Sequence, residues 1–371
     1  MLNLNIEPAN FCNAQCCYCT LGKKSFSHGA ERTLLSLNMH NEFFKGLDTF
    51  MEDACCSPYI DKSVYVRYVG VGEPLLNPDL IEMIKVSLFN SKVKQLAILS
   101  NGACWNRDFV NSFAEVISME SNKPVELTFS LDTLNPETQY AIKRLNNIKT
   151  INEQLIYLLE QKARFHLNNL HPILQAIILD ENIGEVNEFL DYWINIFKAY
   201  GFSWRIVDTP TYPVHFSDTD CFIWLKMKDA DSANQERYAT LQKQAFSKLK
   251  TGLSSHLNST VEDLRDTYKD TQVLEQGSFA HVCSMLWHGI NIAANGDVSP
   301  CCIDVGYCLK LGNIGEQSIV TIYHSDKMRN LREAHIKKRL ENYPLCMYCS
   351  LSYKGPSVVD DEVLSYLRSV S

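Results

Sequence analysis

Three thiols stand close together near the start of the chain, in the run Cys12-Asn-Ala-Gln-Cys16-Cys17-Tyr18-Cys19. Soft ligands offered by one short loop suit a metal centre, and three of them leave a coordination position unfilled. An iron–sulfur cluster whose remaining iron holds another group fits that count. A structural zinc knuckle is the alternative. It needs a fourth nearby Cys or His, and the next histidine, His28, lies in a Gly/Ser-rich run. Cys17 breaks no spacing and reads as a bystander. A second group, Cys283, Cys301 and the pair Cys346-x-x-Cys349, lies towards the other end. Four thiolates complete a tetrahedral site for zinc or for an iron–sulfur cluster.

Two more segments carry groups that could bind a ligand. Gly70-Val71-Gly72-Glu73-Pro74 follows a β-branched and aromatic run, Ser63 to Val69. Glycines let backbone approach a ligand, and a carboxylate at a strand end can grip an ammonium group. Ser130 and Asp132 end the run Val125 to Leu131 and, two residues apart, share a face. The alternative for Asp132 is a helix cap, since it or Thr133 precedes Pro136 and a helical stretch.

The elements that must position these groups follow from periodicity. Strands are expected at Leu2–Ile6, 63–69, 95–99, 125–131, 174–179 and 202–207, and helices near 34–51, 78–89, 107–119 and 186–200. Gly201 closes the last helix as a C′ residue. Strands alternating with helices predict a parallel α/β array with its site at the strands' C-terminal ends. From Thr209 to His281 that pattern breaks. The segment is Pro-rich at first and then carries helical stretches near 233–250 and 261–268, with Cys221, Tyr212, Phe216, Phe222 and Trp224 read as packing or as the rim of an entrance. Cys55 and Cys56 read as packing residues. Further on, Asn295-Gly296 between apolar runs is a strong hairpin signal, and a helix is expected from about Ser325 to Leu340.

CxxxCxΦC at Cys12, Cys16 and Cys19, GVGEP at 70–74 and the SxD pair resemble the motifs of radical S-adenosylmethionine (radical SAM) enzymes. The tail, with CxxxW, NGxVxPCCxD and LGNIxxxSI, resembles the SPASM and twitch auxiliary-cluster domains of that superfamily. The resemblance implies a partial (β/α)6 barrel over 1–208, an insert over 209–282 and a small α+β domain over 283–371. It implies a 4Fe–4S cluster on Cys12, Cys16 and Cys19 that chelates SAM, and one auxiliary 4Fe–4S cluster on Cys283, Cys301, Cys346 and Cys349, with Cys302 and Cys308 as spares. SAM would be held by Tyr18, Gly72, Glu73, Pro74, Asn101, Ser130 and Asp132, with the backbone near Ile206 facing the adenine. Val71 stands where the motif commonly has glycine. Arg205 and Asp208 are the candidates for catalytic groups beside the substrate. A reducing electron donor such as flavodoxin or ferredoxin is implied as partner. The expected reaction is hydrogen-atom abstraction ending in a net oxidation of a small natural-product or sugar-like substrate. Modification of a ribosomally made peptide is the alternative, and a non-catalytic iron–sulfur or zinc scaffold is a third reading.

The totals narrow the field. The chain has 371 residues, room for one large domain plus a smaller one. Its net charge of −8 argues against broad nucleic-acid binding, which shows a basic footprint. There is no apolar run of the roughly 18 residues a membrane helix needs. No charged-then-apolar leader opens the sequence, so a cytoplasmic protein is expected and its fourteen cysteines are expected as thiols. Only eleven residues precede Cys12, which favours a substrate recognised without a leader-binding domain. The basic helix MRNLREAHIKKRL is read as a solvated face rather than a docking site for an acidic partner.

Overall fold

The computed structural model describes residues 1–19, 31–52, 62–207, 219–227, 282–283, 285–304 and 306–347. Asp208, Cys349, Cys55, Cys56, Tyr212, Phe216 and the helices expected near 233–250 and 261–268 lie outside them. Ten strands form one sheet: β1 (Leu2–Ile6), β2 (Val64–Tyr68), β3 (Val93–Ser100), β4 (Val125–Ser130), β5 (Leu170–Ile178), β6 (Trp204–Val207), β7 (Cys221–Met227), β8 (Gly289–Ile292), β9 (Asp297–Ser299) and β10 (Gly312–Asn313). Their order is β10-β9-β8-β1-β2-β3-β4-β5-β7-β6. All pairings from β8 to β6 are parallel, and only the β8–β9 and β9–β10 pairs are antiparallel.

The helices α1 (Leu37–Glu52), α2 (Leu80–Phe89), α3 (Arg107–Met119), α4 (Pro136–Lys143), α5 (Ile148–Arg164) and α6 (Val186–Ala199) fill the connections between these strands. Alternation decides which strand residues meet them. Leu2, Leu4 and Ile6, Val64, Val66 and Tyr68, and Leu127 and Phe129 join Phe43, Leu47, Ile84, Phe113 and Leu155 in one core. The residues between them face the other way, the inner face of the open barrel, where a separate cluster of Ile173, Phe222 and Trp224 forms on β5 and β7. Caps define the helix ends: Asn106 accepts from Phe109 N at 2.9 Å at the start of α3, and Gly201 follows α6 with φ +72°.

Two features differ from the sequence expectation. Residues 221–227, expected within an irregular insert, form a buried parallel strand that separates β5 from β6. The reason is in the run itself, since CFIWLKM is apolar on both faces, as a strand covered on both sides requires. Cys221, Phe222 and Trp224 are accordingly buried. The tail also does not build a sheet of its own. β8 lies parallel to β1, with Leu4 opposite Ile290, and the hairpin turns through Gly296 at φ +85° into β9. Short helices α7 (Met285–His288), α8 (Ile319–Tyr323), α9 (Asp326–Ile336) and α10 (Pro344–Met347) complete the described tail. On α9, Arg332 donates to the Leu286 carbonyl oxygen at 2.9 Å and lies 4.2 Å from the Tyr323 ring, while Arg329 and Lys337 pair with Asp326 and Glu333 of their own helix. No helix among the described residues is long and apolar enough to cross a membrane.

Candidate cofactor and active site

The cysteine loop leaves the C-terminal end of β1 and is anchored by distant backbone. Gln15 N donates to the Lys143 carbonyl oxygen at 2.9 Å and Cys17 N to that of Ile142 at 2.8 Å, so the loop hangs on the end of α4. The Cys12 sulfur accepts from Ala14 N at 3.3 Å and from Asn101 Nδ2 at 3.5 Å. Cys12, Cys16 and Cys19 are half-buried and Cys17 is exposed. Burial pushes Cys16 up to about 12, against the pull of Lys143 and with Asp132, Cys19 and Cys12 adding to the rise; burial also raises Cys12. Among the described residues no three Cys, His, Asp or Glu side chains already converge as on a bound ion. The donor set still fits a cluster. N–H groups aimed at Cys12 are the outer-shell bonds that orient and tune a thiolate ligand, and bound metal removes the proton that burial retains.

The GVGEP segment meets this loop through backbone. A Cβ on Gly72 would overlap the Ala9 carbonyl oxygen and come within 2.7 Å of that of Phe11, so glycine is needed for the approach of the cysteine-loop backbone itself. Glu7, at the end of β1, accepts from Val71 N at 3.0 Å and from Ala294 N of the tail hairpin at 3.3 Å. Pro74 opens a short 3-10 turn, Pro74–Leu76, capped by Glu73. The Glu73 carboxylate is fully enclosed. It accepts from Ser100 Oγ at 2.8 Å, Asn101 N at 2.8 Å and Leu75 N at 3.2 Å, and burial raises its pKa against these donors. A carboxylate offers about four acceptor positions, so one remains on Oε2.

Ser130 and Asp132 do share a face, as alternation requires, and Tyr18 joins them: its hydroxyl donates to Asp132 Oδ2 at 2.8 Å and lies 3.5 Å from Ser130 Oγ. Asp132 is not a helix cap. Asn135 caps α4 by accepting from Glu137 N at 2.9 Å, and Asp132 Oδ1 instead accepts from Ile177 N at 2.8 Å. The group that sequence reasoning missed is Lys143. Its side chain is 0% exposed, like that of Asp132, and its ammonium stands 3.1 Å from Asp132 Oδ2 and 3.0 Å from Ser130 Oγ while donating to the Ser130 carbonyl oxygen. No motif marks it. The available signal was its place in the last turn of α4, where a cation is ordinarily a dipole partner.

In the tail, Asp304 organises the cysteine loop. Its carboxylate accepts from Ser299 Oγ, Cys308 N and Leu309 N, each at 2.8 Å, and Ser299 Oγ in turn accepts from Cys301 N at 3.3 Å. Cys283 and Cys346 pack into one small cluster with Leu286, Trp287, Leu331 and Leu340. Cys302 and Cys308 are exposed. Arg205 is exposed on β6, the edge strand, at the far end of the sheet from the tail hairpin. Ile206, on the same strand, packs partly against the main core.

The C-terminal ends of β1 to β4 therefore present, in order, a thiol loop, a buried carboxylate, an amide and a Ser/Asp/Lys cluster. Parts of the chain resemble known proteins. The model of the SPASM domain, an iron–sulfur cluster-binding domain, matches residues 283–350. The chain is 26% identical over 239 residues to the GTP 3′,8-cyclase of Brucella ovis, covering 62% of this chain and 60% of that one. It is 26% identical over 237 residues to that of Brucella canis, again with 62% and 60% coverage. It thus spans about 60% of the length of these curated relatives. Its fold matches that of anSMEcpe with bound AdoMet at a TM-score of 0.55 and 14% identity, covering 91% of this chain and 82% of that one. The complex of anSMEcpe with AdoMet and the Kp18Cys peptide matches at 0.53, also with 14% identity, covering 90% and 83%. Residues 283–350 thus match an iron–sulfur cluster-binding domain, and the chain is similar in sequence to GTP 3′,8-cyclases and in fold to anSMEcpe. The matched domain binds an iron–sulfur cluster, which suits the tail cysteines, and anSMEcpe, which shares the fold, is seen with bound AdoMet.

Proposed function

We propose that this enzyme abstracts a hydrogen atom from an unactivated C–H bond of a small polar substrate and completes a two-electron oxidation. The convergence of the Cys12–Cys19 loop, Glu73, Asn101 and the Ser130/Asp132/Lys143 cluster on the ends of four adjacent strands carries this reading. SAM on the reduced cluster supplies a 5′-deoxyadenosyl radical when bound. Cys12, Cys16 and Cys19 would hold that cluster. Glu73 and Asp132 would take the methionyl ammonium of SAM, and Lys143 and Ser130 its carboxylate, a zwitterion grip whose groups are held in place by buried hydrogen bonds. Asn101 joins the two halves, because its backbone N–H fixes Glu73 while its side chain reaches Cys12. Cys283, Cys301, Cys346 and Cys349 would hold the second cluster, four thiolates leaving no ligand position for substrate. A cluster there would supply an electron acceptor for the substrate radical; Asp208 is the candidate proton acceptor beside the substrate, and Arg205 the candidate hydrogen-bond partner. The likeness to anSMEcpe, seen with a bound peptide, supports a second reading in which the substrate is a peptide side chain.

Anaerobic reconstitution with iron and sulfide tests this. Wild type should hold about eight irons per chain, and about four after Cys12, Cys16 and Cys19 are changed to Ala, with 5′-deoxyadenosine formed by wild type alone. Zinc in place of iron, or no SAM cleavage under strong reductant, would leave only a scaffold.

A further inference from the structure

On the inner face of the sheet, one row of register partners crosses four strands: Asn291 on β8, Asn5 on β1, Arg67 on β2 and Ala97 on β3, with Glu126 of β4 opposite Ala97. Most of its polar groups are matched. Glu126 accepts from Tyr65 Oη at 2.6 Å and from Gln95 Nε2. Asn291 Nδ2 donates to the Ser299 carbonyl oxygen at 3.1 Å, which turns its Oδ1 towards Asn5 Nδ2 at 2.5 Å. Two atoms on neighbouring register partners are left over. Asn5 Oδ1 and Arg67 Nε are both buried without a hydrogen-bond partner. The Arg67 guanidinium lies 5.3 Å from the Tyr65 ring, and among the described residues no carboxylate pairs with it.

A buried guanidinium N–H lacking an acceptor and a buried acceptor lacking a donor each cost stability, and such atoms in a folded protein call for an explanation. We propose that Arg67 and Asn5 form the substrate-anchoring site of the barrel, for a substrate that carries an oxyanion next to a hydroxyl group. The oxyanion, carboxylate or phosphate, accepts from Arg67, and the neighbouring O–H donates to Asn5 Oδ1. Placement supports this. Both residues lie on the strands that lead into the cysteine loop and the GVGEP segment, on the face away from the helices, so a substrate held there extends towards the strand ends. The inference rests on the reading of those strand ends as the SAM site.

Two small probes carry both groups: inorganic phosphate, through its P–OH, and lactate, a carboxylate beside a hydroxyl. Each is titrated calorimetrically into full-length, iron-loaded protein with SAM, for wild type, Arg67→Gln and Asn5→Asp. At least one probe should saturate wild type, and the stronger of the two identifies the oxyanion. Arg67→Gln should weaken binding about tenfold or more, the loss of one charge-assisted hydrogen bond. Asn5→Asp should abolish it by giving Arg67 an internal carboxylate, even if Arg67→Gln fails to fold. Wild type that cleaves SAM yet binds neither probe, or binding indifferent to both substitutions, overturns the anchoring site and leaves the enzyme. Anion binding through Arg67 in a protein that never cleaves SAM overturns the enzyme and leaves the anion site.

Discussion

The two candidate cluster sites are built in opposite ways. The loop that carries Cys301 in the tail is local: Asp304 gathers Ser299, Cys308 and Leu309 from a stretch of a dozen residues, while Cys283 and Cys346 pack together from the flanking segments. The N-terminal site is assembled from afar. Its thiol loop is held by the end of α4, by Asn101 and by the backbone around Gly72, and its charges sit in a desolvated cluster that includes Lys143. Local hydrogen bonds can place a loop before the rest of the chain arrives. Buried charges from several strands are placed only when the barrel closes, which makes the N-terminal site the more demanding of the two.

Substitutions should separate the sites on that basis. The largest effect is expected for Gly72→Ala, where the added methyl meets the Ala9 carbonyl. A loss of more than about 4 kcal/mol and of SAM cleavage is expected, and thermal melting with deoxyadenosine formation measures both. Lys143→Met should cost about 3–5 kcal/mol by stranding buried Asp132 and should weaken SAM binding in equilibrium dialysis, with Lys143→Arg recovering part of it. Equal SAM affinity in Lys143→Met would break the zwitterion grip. Asp304→Ala should cost about 3 kcal/mol by removing the acceptor of three donors. It should lower auxiliary iron while the N-terminal cluster, read by its SAM-perturbed EPR signal, survives; loss of both clusters together would refute the local character of the Cys301 loop.

The smallest contrast is one of pH. Burial lowers His40, on α1 under β2, and His335, on α9 of the tail, to about 4 each, and they are 1% and 3% exposed. Each is neutral when folded and takes up a proton on unfolding below its ordinary value of about 6.5. Stability therefore falls as pH drops from 6.5 towards 4 and is flat outside that window, by at most about 3 kcal/mol for each group. Hydrogen exchange across the window should show both regions loosening, and His40→Phe should spare the barrel alone.

Much of the barrel was legible because its signals are short-ranged. Strands of alternating or wholly apolar residues and an Asn-Gly turn each carry their meaning within ten residues, and α3, β1 and the β8–β9 hairpin formed where periodicity placed them. Strand β7 was hidden by its surroundings, since CFIWLKM follows a Pro-rich segment that suggested irregular chain.

The sequence by itself determined the spacing of Cys12, Cys16 and Cys19, the strand that delivers Glu73, and the shared face of Ser130 and Asp132, because spacing along the chain and side-chain alternation are local properties. Tertiary structure alone decided the insertion of β7 between β5 and β6, the parallel joining of β8 to β1, the burial of Lys143 against Asp132, and the unmatched pair Arg67 and Asn5. Each of these depends on which distant segment arrives beside it, and so on which polar groups remain without a partner once the sheet is complete.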